Sequence, residues 1–525
     1  KFRGGQFQSG FTRQMNDAGH SHVGALIYHG DNFPKEYFGK ILMCNTHGRR
    51  INVNRLDREG SGYVGRREPD FMIVKSPWFR GIDIKMGPEG AMYVSDWSDN
   101  GECHDHDGVH RTSGRIYRIA YGTPKLTETQ KNVLSGANRL AYLNSDWINK
   151  SDWFGRHARR IRQELLSDGE ISTGSLASNV GCETVSRLLY TEAVGANSKS
   201  QLIEAIDSAD PLVRAEAVHL IVGDSTREQS LMSNVIALAG KPQPANVLLS
   251  LLGAVQRANG TGENPANYRL AAAIFACDEN GKTIAQDKNL TLMAWYAVEP
   301  IVSTMGVFSA FNSNLKLQQF AVRRLAVNTE SRPDVAKHTL RNIAEVAESD
   351  DTNRRTAAPE LLNAYLQGLA GRAKVKAPTN WAEINARFQK SHSAELRRTA
   401  ERLSAIFGDG AAIADLRKLA GDSTQDYAVR EQAILALAQA KDEESLPMFF
   451  NLLSDRAVYD TVITALAGFN HPKTATELLN RMGGFKDGNR SLAIDTMASR
   501  EAYALEQRWI TGVTDRDLTW QSHAW

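Results

Sequence analysis

The hydrophobic pattern of this chain changes period at Pro124. Before it, apolar residues come in short runs broken by glycine-rich turns; after it they recur every third or fourth position almost to the end. A strand shows successive side chains to opposite faces, whereas a helix shows every third or fourth to one face. A chain with this switch therefore folds as a β region followed by a long helical region. Candidate strands are Val23–Tyr28, Lys40–Asn45, Arg50–Leu56, Phe71–Val74, Gly81–Lys85, Ala91–Asp96 and Arg115–Ala120. Turn residues at Gly30-Asp31-Asn32, Gly48, Gly60-Ser61-Gly62 and Gly87-Pro88-Glu89-Gly90 separate them. About seven short strands suit a small sandwich or about two propeller blades.

A single cadence returns through the helical region. Asp210-Pro211-Leu212-Val213-Arg214 leads into Ala215, Ala217, Val218 and Leu220, and related words stand at Leu396-Arg397-Arg398 with Ala400, at Val429-Arg430 with Ala433, and at Val458 with Ala465. The last intervals are about 30 residues, in the range of helical repeats. A capping residue, a surface arginine and small alanines where helices approach closely are what stacked helix pairs need. The reading is a HEAT-like α-solenoid, in which each pair buries its apolar face against its neighbours. Trp153, Phe154, Trp295 and Tyr296 read as core.

Composition narrows the function classes. With 42% hydrophobic residues the chain can bury a sizeable core, and a net charge of +2 gives no overall reason to expect nucleic acid as a partner. No run of about twenty apolar residues exists, so no transmembrane helix is expected. The four cysteines, Cys44, Cys103, Cys182 and Cys277, are too widely spaced for a CxxC zinc module or a CxxCH haem attachment, so this chain carries no haem c. They read as free buried thiols, with Cys44–Cys103 the one conceivable bridge in the strand region.

Metal-capable residues concentrate between Ser95 and Arg111. Asp96, Ser98, Asn100 and Glu102 place oxygens on alternate positions around Gly101, with His104 following and Asp107 twelfth. Calcium takes six to eight oxygens, and such a loop supplies them; a plain turn, with Asp96 and Asn100 bonding backbone amides, is the bland alternative. Of the thirteen histidines seven precede residue 111. Among them His20, His22 and His47 are candidate catalytic bases for a hydroxyl proton, or ligands of a transition metal; in the bland version they bond nearby carboxylates. No GxGxxG lies between a strand and a helix and no GxSxG occurs, so neither dinucleotide binding nor serine-hydrolase chemistry is supported.

GHSHVGALIYHGDNFPKEYFGKILMCNTHGRRINVNRL (Gly19–Leu56), GSGYVGRREPDF (Gly60–Phe71), WFRGIDIKMGPEG (Trp78–Gly90) and SDWSDNGECHDHDGVHRTSGRIYRIAYG (Ser95–Gly122) resemble the closing propeller blades of the membrane-bound dehydrogenase-like family. Its haem-bearing members are called PVC-type haem-binding CxxCH proteins. DWFGRHARRIRQEL (Asp152–Leu165), LMAWYAVEPIV (Leu292–Val302) and LAIDTMASREAYAL (Leu492–Leu505) resemble the same family's helical repeats.

The resemblance implies a secreted or periplasmic protein, with membrane association an option, built as propeller, HEAT-like solenoid and c-type cytochrome. Its propeller is similar to sugar dehydrogenases of the glucose and sorbosone type, which oxidise a sugar or aldehyde with pyrroloquinoline quinone and calcium and pass electrons to a cytochrome c. Arg49, Arg50, Arg80 and Arg111 are the candidates to pair with the quinone carboxylates through forked hydrogen bonds; the alternative is that they neutralise the acidic loop. The expected fold is mainly α with an N-terminal β region: residues 1–122 as C-terminal propeller blades, 123–508 as helical repeats, and 509–525 as a linker towards a missing C-terminal domain. Earlier blades and a CxxCH segment are expected outside the chain, which alone is expected to be inactive. The rival expectation is a non-enzymatic HEAT-repeat interaction scaffold with a metal-stabilised β cap.

Overall fold

The computed structural model describes residues 22–98, 112–136, 139–140, 152–172, 184–192, 195, 197–258, 265–303, 311, 314–372 and 374–498. The chain is mainly helical, with an N-terminal β region of two small antiparallel sheets. It divides into two compact units, Lys1–Val298 and Glu299–Trp525. The expected linker 509–525 lies outside the described residues.

In the first unit the strands are β1 His22–Ile27, β2 Ile41–Asn45, β3 Arg50–Glu59, β4 Gly62–Ile73, β5 Gly81–Met86, β6 Met92–Asp96 and β7 Arg115–Ile119. They form one sheet in the order β1-β2-β3-β4 and a second in the order β5-β6-β7, each strand beside its neighbour in sequence. Strands β1 and β2 pack on β5. Tyr28, Leu42, Cys44, Ile51, Val53, Phe79, Ile84, Met92 and Val94 form the core there. The Tyr28 hydroxyl, fully buried, donates to the Gly90 carbonyl at 2.9 Å and accepts the Asn32 and Phe33 amides, so no polar atom of that side chain is lost to the core.

Strand β4 corrects the sequence reading, which began a strand only at Phe71. Twelve residues from Gly62 are extended. The segment carries no apolar alternation, because its charges are matched across the ladder instead: Arg66 pairs with Asp57, and Arg55 with Glu68. Pro69 is tolerated because β4 is an edge strand and the register shifts beside it, between Ile51 and Val53 of β3. Since β2 pairs with β3 only as far as Asn54, the β3–β4 ribbon runs on alone for five residues, about 17 Å. Its tip lies on the residue that precedes the helix Lys288–Val298.

Of the four helices that the cadence marks, those from Pro211 and Ala394 begin on a side-chain cap and those from Tyr427 and Tyr459 do not, and the arginines do more than face solvent. Asp210 caps the helix Pro211–Val222 through the Leu212 amide at 2.8 Å, and Arg214 reaches back to the Ser208 carbonyl at 2.7 Å. Asp351 with Arg355 and Ser349 repeats the arrangement, and so does Ser393 with Arg397 and Ser391. Each arginine thus closes the turn that precedes its own helix, using a carbonyl six residues earlier. Arg430, predicted as a surface charge, is 3% exposed; it donates to Asp455 at 2.7 Å and to the Ala420 carbonyl at 3.2 Å. The alanines Ala217, Ala400, Ala433 and Ala465 are buried as expected. Of the four aromatics read as core, Phe154 is fully buried, whereas Tyr296 is 53% exposed.

In the second unit, Ala433, Ile434, Leu437, Phe449, Val462, Leu466 and Phe469 gather in one core cluster drawn from successive helices. At about 1.5–3 kcal/mol per large apolar side chain removed from water, such clusters supply most of what holds each helix to the next.

Candidate functional site

Four of the singled-out residues meet around the turn between β2 and β3. The Gly48 amide donates to the Asn45 side chain at 2.8 Å, closing a turn that holds His47, with Arg49 directly after it. A side chain on Gly48 would meet Asn45 Oδ1 at 2.6 Å, so glycine is required. Arg49 takes a left-handed backbone conformation, φ +52°, and its carbonyl accepts the Val74 amide at 2.9 Å. The cross-strand register puts His22 opposite Asn45, and Asn45 opposite Arg50.

A buried polar network spreads from there across the sheet. His22 Nε2 lies 2.9 Å from Asn52 Oδ1, which also accepts from Asn45 Nδ2 at 3.0 Å. Asn52 Nδ2 donates to Asp70 Oδ1 at 2.7 Å. Asp70, 7% exposed, further accepts from Arg50 at 2.9 Å and Arg67 at 2.6 Å. Asn45 and Asn52 are wholly buried. Neither they nor Asp70 was singled out from sequence, although an asparagine between Ile51 and Val53 is a polar residue that a buried strand must hydrogen-bond.

A second group stands at the start of β5 and the end of β6. Asp96 Oδ1 accepts the Arg80 amide at 2.8 Å and the Ser98 amide at 3.0 Å; Oδ2 is buried and has no hydrogen-bond partner among the described residues. Ser98 is buried with φ +54°, and its hydroxyl accepts from Ser113 at 3.2 Å. Thr46 donates to the Gly81 carbonyl at 3.1 Å, and Gly81 pairs with Asp96, so both groups lie at one end of the two sheets. His20, Asn100, Glu102, His104, Asp107 and Arg111 lie outside the described residues, as do Cys103 and Cys182. Cys44 and Cys277 are free and buried. No group of three metal-capable side chains occurs among the described residues, and no described helix is long and apolar enough to cross a membrane.

The residues fit the two implied cofactors differently. A quinone with three carboxylates needs guanidinium groups turned towards it. Arg50 donates to the Gly48 carbonyl and to Asp70, and the buried Arg80 donates to the carbonyls of Pro77 and Phe79. Arg50 and Arg80 thus commit part of their donors to the protein itself. The unsatisfied buried oxygen of Asp96 does suit a hard cation.

Two grooves of about 440 and 450 Å³ lie among the helices, the first lined by Glu228, Met232 and Arg269, the second by Glu401, Asp409 and Asp415. Burial, with the Asp415 charge adding, pushes the Glu401 carboxyl up. Neither groove is lined by a residue singled out from sequence.

A domain of unknown function, DUF7133, matches residues 6–123, which takes in the whole β region. Comparison with curated proteins finds no match. Among solved structures the chain is similar to the crystal structure of an engineered protein, at 15% identity and a TM-score of 0.21, over 69% of this chain and 98% of that one. At that score the likeness carries no argument about the fold.

Proposed function

We propose that the chain is the terminal propeller segment and HEAT-like brace of a quinoprotein-like sugar or aldehyde oxidoreductase, with His22 as the base that takes the substrate's hydroxyl proton. The observation that carries the reading is the bond from His22 to buried Asn52, which holds an imidazole at the sheet end where Asp96 offers an oxygen to calcium. Sequential antiparallel strands in two face-packed sheets support two adjacent blades. Repeated capping and reach-back arginines support helical repeats, whose office is to hold the propeller near a cytochrome c. Arg49, Arg50, Arg80 and Arg111 stay the reading's candidates for pairing with the quinone carboxylates.

The test is dye-linked oxidation of sugars and aldehydes by the protein as its gene encodes it, with pyrroloquinoline quinone and calcium supplied. A general base contributes roughly a hundredfold or more, so His22→Gln should lower kcat by about that factor with the fold intact. Equal rates in variant and wild type, or no turnover with any substrate, overturn the reading.

The contact between Ser61 and Asp287 favours a second reading, a non-enzymatic repeat scaffold whose β region is a metal-stabilised cap. A protein partner captured equally well after mutation of His20, His22 and His104 would support it.

A further inference from the structure

We propose that the groove among the helices Trp381–Gln389, Ala394–Ile406 and Gly410–Gly421 binds a small amino alcohol, with Glu401 taking its ammonium and Ser404 donating to its hydroxyl oxygen. The site lies wholly within the second unit and is independent of the oxidoreductase reading.

The charge of the lining comes first. Glu401, Asp409 and Asp415 face the groove against one lysine, Lys418, so the field there draws in a cation. Two of the three carboxyls already have work. Asp409 caps its helix through the Ala411 and Ala412 amides, and Asp415 pairs with Lys418 at 3.3 Å on the surface. Glu401 is half-buried and makes neither a hydrogen bond nor an ion pair within the described residues. Burial, with the Asp415 charge adding, pushes its carboxyl up, and Arg397 and Arg398 of its own helix offset this only at a distance. An ammonium beside Glu401 supplies the partner that folding left out. No group of three metal-capable side chains occurs among the described residues, so these acids do not close on one metal ion.

The floor of the groove carries an independent sign of a ligand. Ser404 is 1% exposed, and its Oγ accepts the Trp381 indole N–H at 3.0 Å. The hydroxyl's own proton is donated to no described residue. A buried donor left unspent is costly unless something entering the groove takes it. An ammonium alone has no acceptor to offer; a hydroxyl oxygen on the same molecule does. Glu401 and Ser404 stand three residues apart on one helix face, a separation of about 5–6 Å, which a chain of about three carbons spans. Leu416 and Leu419 give that chain an apolar wall.

The test titrates 3-amino-1-propanol into the protein as its gene encodes it, against matched sodium chloride. Propylamine supplies the ammonium alone, and 1,3-propanediol the hydroxyls alone. The readout is the Trp381 indole resonance in ¹⁵N-labelled protein, assigned by its loss in Trp381→Phe, because that N–H bonds the Ser404 oxygen. It should shift saturably with the amino alcohol at millimolar concentration. Propylamine should bind about fivefold more weakly for want of one hydrogen bond, and the diol more weakly still. Ser404→Ala should erase the difference between amino alcohol and propylamine, which a merely structural serine would not do. Glu401→Gln should weaken both ammonium probes about tenfold or more, with Tm unchanged or higher. Asp415→Asn, at a side chain 72% exposed and safe for the fold, should weaken both about twofold and serves if the Glu401 variant does not fold. Absence of a saturable shift overturns the proposal. So does equal affinity in wild type and Glu401→Gln, or a diol that binds as tightly as the amino alcohol.

Discussion

The backbone amide of Ser61 donates to Asp287 Oδ2 at 2.6 Å, fastening the tip of the β3–β4 ribbon to the residue that caps the helix Lys288–Val298. The other carboxylate oxygen, Oδ1, accepts the Asn289 and Leu290 amides at 2.8 and 3.0 Å. One side chain therefore serves two elements more than two hundred residues apart. Gly60 makes the approach possible: its φ is +57°, and a Cβ there would lie 2.3 Å from Asp287 Oδ2. Gly60→Ala is expected to cost about 2 kcal/mol, from left-handed strain and the collision together. Hydrogen exchange should show the ribbon tip losing protection while the β core keeps its own, and unchanged protection at Glu59–Tyr63 would count against the clamp.

The same contact has a pH signature. Burial raises the Asp287 carboxyl, but the Ser61, Leu290 and Asn289 amides outweigh it and hold the group below the usual carboxylate range. A carboxyl with a depressed folded value contributes stability above its unfolded value, about 4, and loses it as pH falls through the folded value. Ribbon-tip protection should therefore fall at the acid end in wild type. Asp287→Asn should show lower protection at neutral pH and no such acid limb.

The switch from β to α was legible because period is written residue by residue and needs no partner to be read. Strand β4 was not, because GYVGRREPD takes its extended form from cross-strand charges on β3, and a single segment shows only half of each pair. His47, Arg49 and Arg50 were legible together because they stand in or beside one short turn, whereas His22 joins them only through the β1–β2 pairing. Asp70 was hidden by distance: it stands twenty residues from Arg50 and comes beside it only through the β3–β4 pairing. Arg430 was misread for a related reason, since its partner Asp455 belongs to a later helix–helix turn.

Cys44 is expected to be inert in the folded protein. Burial, with the Asp83 charge adding, pushes its thiol up to about 12, so almost no thiolate exists at pH 8. Gly81 lies directly against it, where even a methyl group would come within 3.1 Å of Sγ. A disulfide reagent at pH 8 should leave the Cys44 peptide unmodified in native protein and modify it promptly in urea. Labelling within minutes under native conditions would show that the two sheets separate more readily than their packing allows.

Removing Arg430 should be among the more damaging single changes in the second unit. Its guanidinium is buried, and it bonds Asp455 and the Ala420 carbonyl together. Asp455 is held below the usual carboxylate range by the Ala457 amide and then by Arg430, so the pair shares its charge with the turn. Arg430→Ala should cost about 3 kcal/mol. Arg430→Lys should recover less than half of that, because one ammonium cannot span both acceptors with the fork geometry. Urea unfolding followed through the helices Tyr427–Gln439 and Tyr459–Leu466 by hydrogen exchange checks both, and equal stability of the alanine and lysine variants would show that charge alone matters.

Asp96 allows the calcium reading to be decided without any substrate. Its Oδ1 is committed to the Arg80 and Ser98 amides, and Oδ2 is buried with no partner among the described residues. A cation at Oδ2 would bind the folded form and not the unfolded one, which at a hundredfold excess over Kd stabilises by about 2.7 kcal/mol. Millimolar calcium should therefore raise Tm in wild type, a chelator should reverse it, and Asp96→Asn should abolish the response because an amide offers no anionic oxygen. A hard cation of smaller radius dehydrates reluctantly and prefers rigid octahedral geometry, so magnesium should do less than calcium at equal concentration. If neither ion moves Tm, Asp96 is the plain turn residue of the alternative, bonding backbone amides and nothing else.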